Sequence, residues 1–170
     1  DHFAKPDDEL STALKEGFLQ RNFQGYSTYA DCDLVAIGVS SIGKIGSTYS
    51  QNERDIDAYY AALDAGHLPI MRGYQLNQDD ILRRNIIQDL MCRFSLDYQI
   101  YESVFGIPFS RYFAAELEDM KQLETLGLVR LKPHSLTVTP KGRFLIRNIA
   151  MVFDYHLRHK ETKAKYSQTV

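Results

Sequence analysis

Residues 21–42 read RNFQGYSTYADCDLVAIGVSSI. The first half is small and polar, and it predicts a loop or a short extended piece within a loop. The second half is an almost unbroken apolar run from Asp33 to Val39. Such a run suits a strand buried on both faces, as in a parallel α/β sheet. It leads into Ser40-Ser41-Ile42-Gly43-Lys44-Ile45-Gly46. Small residues directly after a buried strand let backbone approach a ligand closely. Ligands of α/β folds gather at the carboxyl ends of strands.

Upstream, Asp7 and Asp8 are candidate caps for a short helix through Glu16, with Leu10 and Leu14 on one face and Gly17 at its end. Downstream, Asn52 is a cap for a helix from about Glu53 to Ala65, striped by Ile56, Tyr59, Tyr60 and Leu63 and stopped by Gly66. An extended stretch follows from Ile70 to Gln75. After Leu76 the texture becomes that of longer helices. Asn77 caps the first, with Asp79 and Asp80 in its first turn and Ile86, Ile87, Leu90, Met91 and Phe94 as its stripe. A short helix is expected over Tyr98–Phe105, and another from Ser110 to Leu126. A hairpin is expected around Lys132-Pro133-His134-Ser135, and a last helix starts at Pro140 behind a Thr139 cap. Helix, short helix, helix, hairpin, helix is the order of a winged-helix module. Beyond Leu157 the sequence is basic and polar and predicts a frayed end.

The bulk properties narrow the class. The 170 residues are 44% hydrophobic and 25% charged, which is too apolar for disorder. No apolar run approaches the ~20 residues of a membrane helix, and the first ten residues are mostly polar, unlike a signal peptide. A cytoplasmic protein without membrane contact is expected. The net charge of −2 gives no whole-chain field for capturing nucleic acid. The helix before the hairpin, with Arg111 and Lys121 as its basic residues, is acidic overall, and acidic faces repel phosphate. The chain starts at Asp1 rather than at a methionine, so it is expected to be a fragment.

Few residues carry a chemical signature on their own. Cys32 and Cys92 lie sixty positions apart and read as two free thiols, because an iron–sulfur cluster needs three or four grouped thiolates. His156 and His159, three apart, read as a solvated helix end rather than a metal site. The glycines form neither a GxGxxG fingerprint nor a P-loop. No metal ligands and no catalytic residues are assigned in this chain. The sharpest local feature is the pair of segments Asn22–Thr28 and Gly38–Gly43. Gln24 offers an amide that both donates and accepts, and Ile42 offers apolar surface and backbone groups. An ordinary strand–loop junction has the same appearance.

DHFAKPDDEL, RNFQGYSTYADCDLVAIGVSSI and KGRFLIRNIAMVFDYHLR resemble the C-terminal part of the bacterial oxygen-independent coproporphyrinogen III oxidases, also called coproporphyrinogen III dehydrogenases. The resemblance extends over essentially the whole chain, and Arg21-Asn22-Phe23-Gln24-Gly25-Tyr26 is its most specific piece. It implies a radical S-adenosylmethionine (SAM) enzyme of haem biosynthesis. The family carries a [4Fe–4S] cluster on a CxxxCxxC motif, which this sequence does not contain. A radical derived from SAM abstracts hydrogen from two propionates of coproporphyrinogen III, and decarboxylation to vinyl groups gives protoporphyrinogen IX. The family's contacts to a second SAM match Gln24 and Ile42. For the four substrate carboxylates, arginine is the natural partner. Arg21, beside the second-SAM segment, is the first candidate, and Arg143 and Arg147, four apart on the last helix, are weaker ones.

The expected fold class is α+β, mainly α. Residues 1–72 are the strand-and-helix end of an incomplete α/β radical-SAM barrel. Residues 73–170 are a helical domain with a winged-helix-like hairpin, covering the active-site mouth in the full enzyme. The implied partners are coproporphyrinogen III and the N-terminal barrel of the parent chain. Without the cluster ligands the fragment alone is expected to be inactive. Its unpaired apolar strand predicts self-association. The rival readings are a winged-helix interaction or DNA-binding module and a related radical-SAM protein that handles haem.

Overall fold

The Asp8 carboxylate accepts the backbone N–H of Leu10 at 2.8 Å and so starts the first helix, α1 (Glu9–Glu16), which Gly17 ends at φ 81°. A computed structural model describes residues 4–29 and 32–159, and contacts divide the chain into one unit up to Ile81 and another from Leu82.

In the first unit the segment after α1 is a hairpin rather than a loop. Strands β1 (Gln20–Asn22) and β2 (Gly25–Ser27) pair antiparallel across a two-residue turn, Phe23-Gln24. Asn22 builds the turn, because its side-chain oxygen accepts the N–H groups of Gln24 (2.9 Å) and Gly25 (3.1 Å). Next come β3 (Ile42–Ile45), β4 (Thr48–Asn52), α2 (Ile56–Asp64) and β5 (Ile70–Gln75). The strands form an antiparallel sheet in the order β3-β4-β5. Asp55, not Asn52, caps α2, accepting from the N–H groups of Asp57 and Ala58. Asn52 instead closes β4 and is buried, donating its amide to the Gly38 carbonyl at 2.9 Å.

The expected buried strand over Asp33–Val39 is overturned. Its one ladder contact is the antiparallel bridge Leu34–Lys44, and the exposures of Val35 and Ile37 are 68% and 84%. Two causes are visible. Gly38 at φ 101° and Ser40 at φ 60° turn the chain out of extended geometry. Side-chain hydrogen bonds also replace a ladder. Asp33 accepts from the Gly46 N–H at 2.8 Å, and the Tyr59 hydroxyl accepts from the Gly38 N–H at 3.1 Å.

The second unit contains most of α3 (Gln78–Arg93), then β6 (Ser95–Asp97), α4 (Tyr98–Phe105), α5 (Phe109–Tyr112), α6 (Ala114–Thr125), β7 (Val129–Lys132), β8 (Ser135–Val138), α7 (Pro140–Arg143), α8 (Ile146–Met151) and α9 (Tyr155–Arg158). The sheet order β6-β8-β7 adds a third strand to the expected hairpin and completes a winged-helix arrangement. Two expected helices are broken. Phe113, at φ −102°, separates α5 from α6, and Leu145, at φ −113°, separates α7 from α8. The core holds Ile86, Leu90, Leu96, Met120, Leu136 and Ile149, with rings of Phe109, Phe113 and Phe153 in contact. Complete burial of one such side chain stabilises by roughly 1.5–3 kcal/mol. The fold is thus mixed, with helix and antiparallel sheet and no closed barrel. The expected frayed end lies largely outside the described residues.

Candidate functional site

β-strand pairing puts the site residues on one face. Opposed residues of paired strands share a face, and alternate residues of a strand return to it. In the first unit's sheet the register therefore gives two cross-strand rows, Ile42–Gln51–Arg72 and Lys44–Tyr49–Tyr74. The opposite face is closed at Gly43, where an added Cβ would lie 3.0 Å from the Leu34 carbonyl oxygen and 3.3 Å from the Ala36 Cβ.

The β1–β2 hairpin meets the same face. Phe23 packs edge-on against Tyr49, with ring centroids 5.4 Å apart. Gln24 is the next residue of that turn. Gln24 is exposed, and its side-chain amide has no partner among the described residues. Ile42 is half-buried. Both residues singled out from the sequence lie in the first unit, Gln24 in the hairpin turn and Ile42 at the start of β3. The arrangement suits a ligand with both a flat apolar part and hydrogen-bonding edges, such as a nucleoside. In kind, an amide and an aliphatic side chain are groups that such a ligand uses.

Gln51 organises the cationic end of the face. Its Oε1 accepts from Arg72 Nε at 2.9 Å and Nη2 at 2.7 Å, and from Arg54 at 3.4 Å. Its Nε2 donates to the Ser40 carbonyl at 3.1 Å. At the other end of β5, Tyr74 donates to Asp80 at 2.9 Å, and that hydrogen bond is the main reason its phenol is raised above the ordinary value. Asp80 is itself held, accepting from the Asn77 N–H while Asn77 accepts from the Asp80 N–H, a reciprocal cap at the start of α3. Arg72, Gln51 and Tyr49 were not singled out in the sequence. The available signal was the alternation within Ile70–Gln75, which puts Arg72 and Tyr74 on one side of a strand.

The arginine candidates separate. Arg21 lies on β1 with its guanidinium 5.3 Å from the Tyr26 ring centre, part of the hairpin that carries Gln24. Arg143 and Arg147 are both exposed residues of the second unit. They do not share a helix as expected, because the Leu145 break puts Arg143 at the end of α7 and Arg147 in α8. Arg143 stacks over the Phe94 ring at 4.5 Å. Cys32 is exposed and Cys92 is buried, with Gln88 Nε2 donating to the Cys92 sulfur at 3.7 Å, and neither forms a disulfide among the described residues. Among the described residues no three His, Cys, Asp or Glu side chains gather in a way that holds a metal. The residues present therefore do not fit an iron–sulfur cluster. His159 stacks on Tyr155 at 4.0 Å and its Nδ1 lies 2.8 Å from the Tyr155 carbonyl oxygen.

Comparison with known proteins agrees with this architecture. The chain is similar to a solved chain described as coproporphyrinogen III oxidase (HemN) from Escherichia coli, a radical SAM enzyme. The TM-score is 0.88 and the identity 46%, over 92% of this chain and 36% of that one. The fold is therefore that of part of a radical SAM enzyme. Residues 76–145 match the family model described as the HemN C-terminal domain. The oxygen-independent coproporphyrinogen III oxidase of Pseudomonas aeruginosa is 50% identical over 92% of this chain and 34% of its own length. That of Synechocystis is 46% identical and that of Escherichia coli K12 45% identical, each over 100% of this chain and 37% of its own length. The chain is similar to the C-terminal part of the oxygen-independent coproporphyrinogen III oxidases. It spans 34–37% of the length of these relatives.

Proposed function

We propose that this chain forms the C-terminal part of an enzyme that oxidatively decarboxylates two propionates of coproporphyrinogen III to vinyl groups, giving protoporphyrinogen IX. The observation that carries this reading is agreement in both sequence and fold with one coproporphyrinogen III oxidase. When bound, SAM and a [4Fe–4S] cluster supply hydrogen abstraction from the propionates. The cluster is held by another part of the enzyme, so the chain alone has no decarboxylase activity. The role of this chain's own residues is positioning. Gln24 and Ile42 contact a second SAM, Gln24 through its unpartnered amide and Ile42 through apolar surface. Arg21, on the same hairpin as Gln24, is the first candidate for a substrate carboxylate, with Arg143 and Arg147 behind it. The unit up to Ile81, which includes all of β5, supplies the last strands and helix of the catalytic barrel, and the unit from Leu82 forms the winged-helix-like domain, so the boundary lies beyond the expected residue 72.

The enzyme is cytoplasmic in this reading. No helix among the described residues is long and apolar enough to cross a membrane. Nucleic acid is not a partner. In the winged-helix unit the helix before the wing is acidic, and its Glu118 and Asp119 are tied to Lys121 and Arg158, which makes that helix a poor surface for phosphate.

The test is turnover by the complete reading frame that encodes this chain, assayed anaerobically with a reconstituted cluster, SAM and coproporphyrinogen III. Protoporphyrinogen IX is the expected product, and none is expected from residues 1–170 alone. Gln24→Ala should lower turnover about fivefold or more, the cost of one lost hydrogen bond. Charge reversal at Arg21 should raise the substrate KM. A complete protein that binds haem without decarboxylating coproporphyrinogen III would refute the assignment.

A further inference from the structure

The sheet face that carries Ile42 has an uncompensated positive charge at a fixed place. Arg72 spends Nε and Nη2 on the Gln51 side-chain oxygen, at 2.9 and 2.7 Å. That acceptor is a neutral amide, so the bidentate bond orients the guanidinium without neutralising it. Among the described residues no carboxylate pairs with Arg72, and its Nη1 has no acceptor. Lys44, in the neighbouring row of the same face, is likewise without a carboxylate partner among the described residues. Arg83, Arg93, Lys121 and Arg158 each reach an acidic side chain, whereas Arg72 is held at two nitrogens by a neutral one. Gln51 is fixed in turn, because its Nε2 donates to the Ser40 carbonyl. An arginine held in plane by a second residue is preorganised for a planar, two-oxygen anion, since little of its side-chain freedom remains to be lost on binding.

The position matches the candidate ligand contacts. Ile42 and Arg72 lie in one cross-strand row with only Gln51 between them. At the usual strand spacing their backbones are about 10 Å apart, within the span of one SAM molecule or one tetrapyrrole. We propose that Arg72, oriented by Gln51, binds a carboxylate of the ligand that Gln24 and Ile42 contact. This rests on the proposed function, which supplies the ligand. Two sources have the right chemistry: the amino-acid carboxylate of SAM and a propionate of coproporphyrinogen III.

The experiment is ligand binding to the complete protein with Arg72→Gln, Gln51→Leu and Gln24→Ala variants. The probes are SAM, decarboxylated SAM, and coproporphyrin III as an air-stable porphyrin. Circular dichroism of the exposed Arg72→Gln variant should match the parent. If the carboxylate is that of SAM, Arg72→Gln weakens binding of the second SAM equivalent about tenfold or more and leaves decarboxylated SAM unaffected. If it is a propionate, the same variant weakens coproporphyrin III by a similar factor and leaves SAM unaffected. In either case Gln51→Leu, which keeps the charge but frees the guanidinium, gives a smaller loss of the same kind. Unchanged binding of both ligands by Arg72→Gln, while Gln24→Ala weakens SAM binding, overturns the role of Arg72 and leaves the proposed function standing. Unchanged binding by both Arg72→Gln and Gln24→Ala overturns the two together.

Discussion

Gly142 sits where α7 crosses the wing, and a Cβ there would lie 2.0 Å from the Leu128 carbonyl oxygen. That oxygen also accepts hydrogen bonds from the Thr139 N–H and hydroxyl, so it has little freedom to move away. Gly142→Ala should therefore destabilise the second unit by about 3–5 kcal/mol. Gly127→Ala has open space and only its positive φ to oppose it, and should cost about 1 kcal/mol. Urea unfolding of both variants checks the contrast, and equal losses would contradict it. Arg83 is a second demanding residue. Its Nη1 donates to Glu116 at 2.9 Å and to the Phe153 carbonyl at 3.1 Å, and its guanidinium lies 5.1 Å from the Phe113 ring centre. Arg83→Ala leaves a buried carboxylate unpaired, a loss of about 3–5 kcal/mol. Two tyrosines make the same unit sensitive to alkali. Burial, and secondarily Glu124, pushes the Tyr98 phenol up to about 12. Burial, and then the hydrogen bond to Asp89, raises Tyr101 as well. Both phenols hold their protons more tightly in the folded chain, so their contribution is complete below the ordinary phenol value of 10.0. It is lost as pH rises through that value towards 12. The Tm should fall across this window, and Tyr98→Phe should flatten the fall.

Local signals fixed the elements where chain chemistry decides them. Asp8 and Thr139 each cap a helix through a side-chain oxygen, and Gly17 closes α1 in the left-handed region. These positions were legible because the competing interactions are within a few residues. The misreadings came from longer-range bonds. Asn52 looks like a cap in sequence, yet its amide reaches back fourteen residues to Gly38. Asp33–Val39 has the composition of a buried strand, yet a strand needs partners, and composition does not supply them. The helix breaks at Phe113 and Leu145 also escaped notice, because neither residue is a Gly or Pro. At the site, Gln24 and Ile42 gained weight only from the family resemblance. The Arg72–Gln51 pair needs the β4–β5 register, which no single segment encodes. Gly43 tests the element-level account. A Cβ there would lie 3.0 Å from the Leu34 carbonyl oxygen and 3.1 Å from Ser50 Oγ, so a residue without a side chain lets the 33–37 segment close on β3 through the Leu34–Lys44 bridge. Gly43→Ala should displace that segment and cost about 1–3 kcal/mol, as overpacking does. Faster amide exchange at Leu34 and Lys44 would report it, and unchanged exchange would argue that the bridge is not held by this contact.

The two units differ in how they use their apolar residues. The second buries rings and aliphatic side chains from nearly every helix and strand. In the first, Ala13, Leu19 and Pro69 are the buried apolar side chains among the described residues, while Val35, Ile37, Ile56, Tyr60 and Leu68 remain exposed. Each exposed Val, Leu or Ile forgoes roughly 1.5–3 kcal/mol that burial provides. A unit that leaves so many uncovered is expected to find a cover, and in the proposed function that cover is the rest of the catalytic barrel. When residues 1–170 are produced alone, the nearest substitute is a second copy. The Val35–Ile37 stretch offers two strongly exposed apolar side chains outside any strand ladder, which makes it the favoured contact. Sedimentation velocity should therefore show concentration-dependent association in the micromolar-to-millimolar range where exposed apolar surface associates. Placing lysine at both Val35 and Ile37 should suppress it while leaving the Tm of the second unit unchanged, since that unit's core contains neither residue. A chain that stays monomeric throughout that range, with amides of residues 33–45 protected from exchange, would mean that the first unit is complete as it stands. Its assignment to a partial barrel would then fail, even though the sequence relationship would remain.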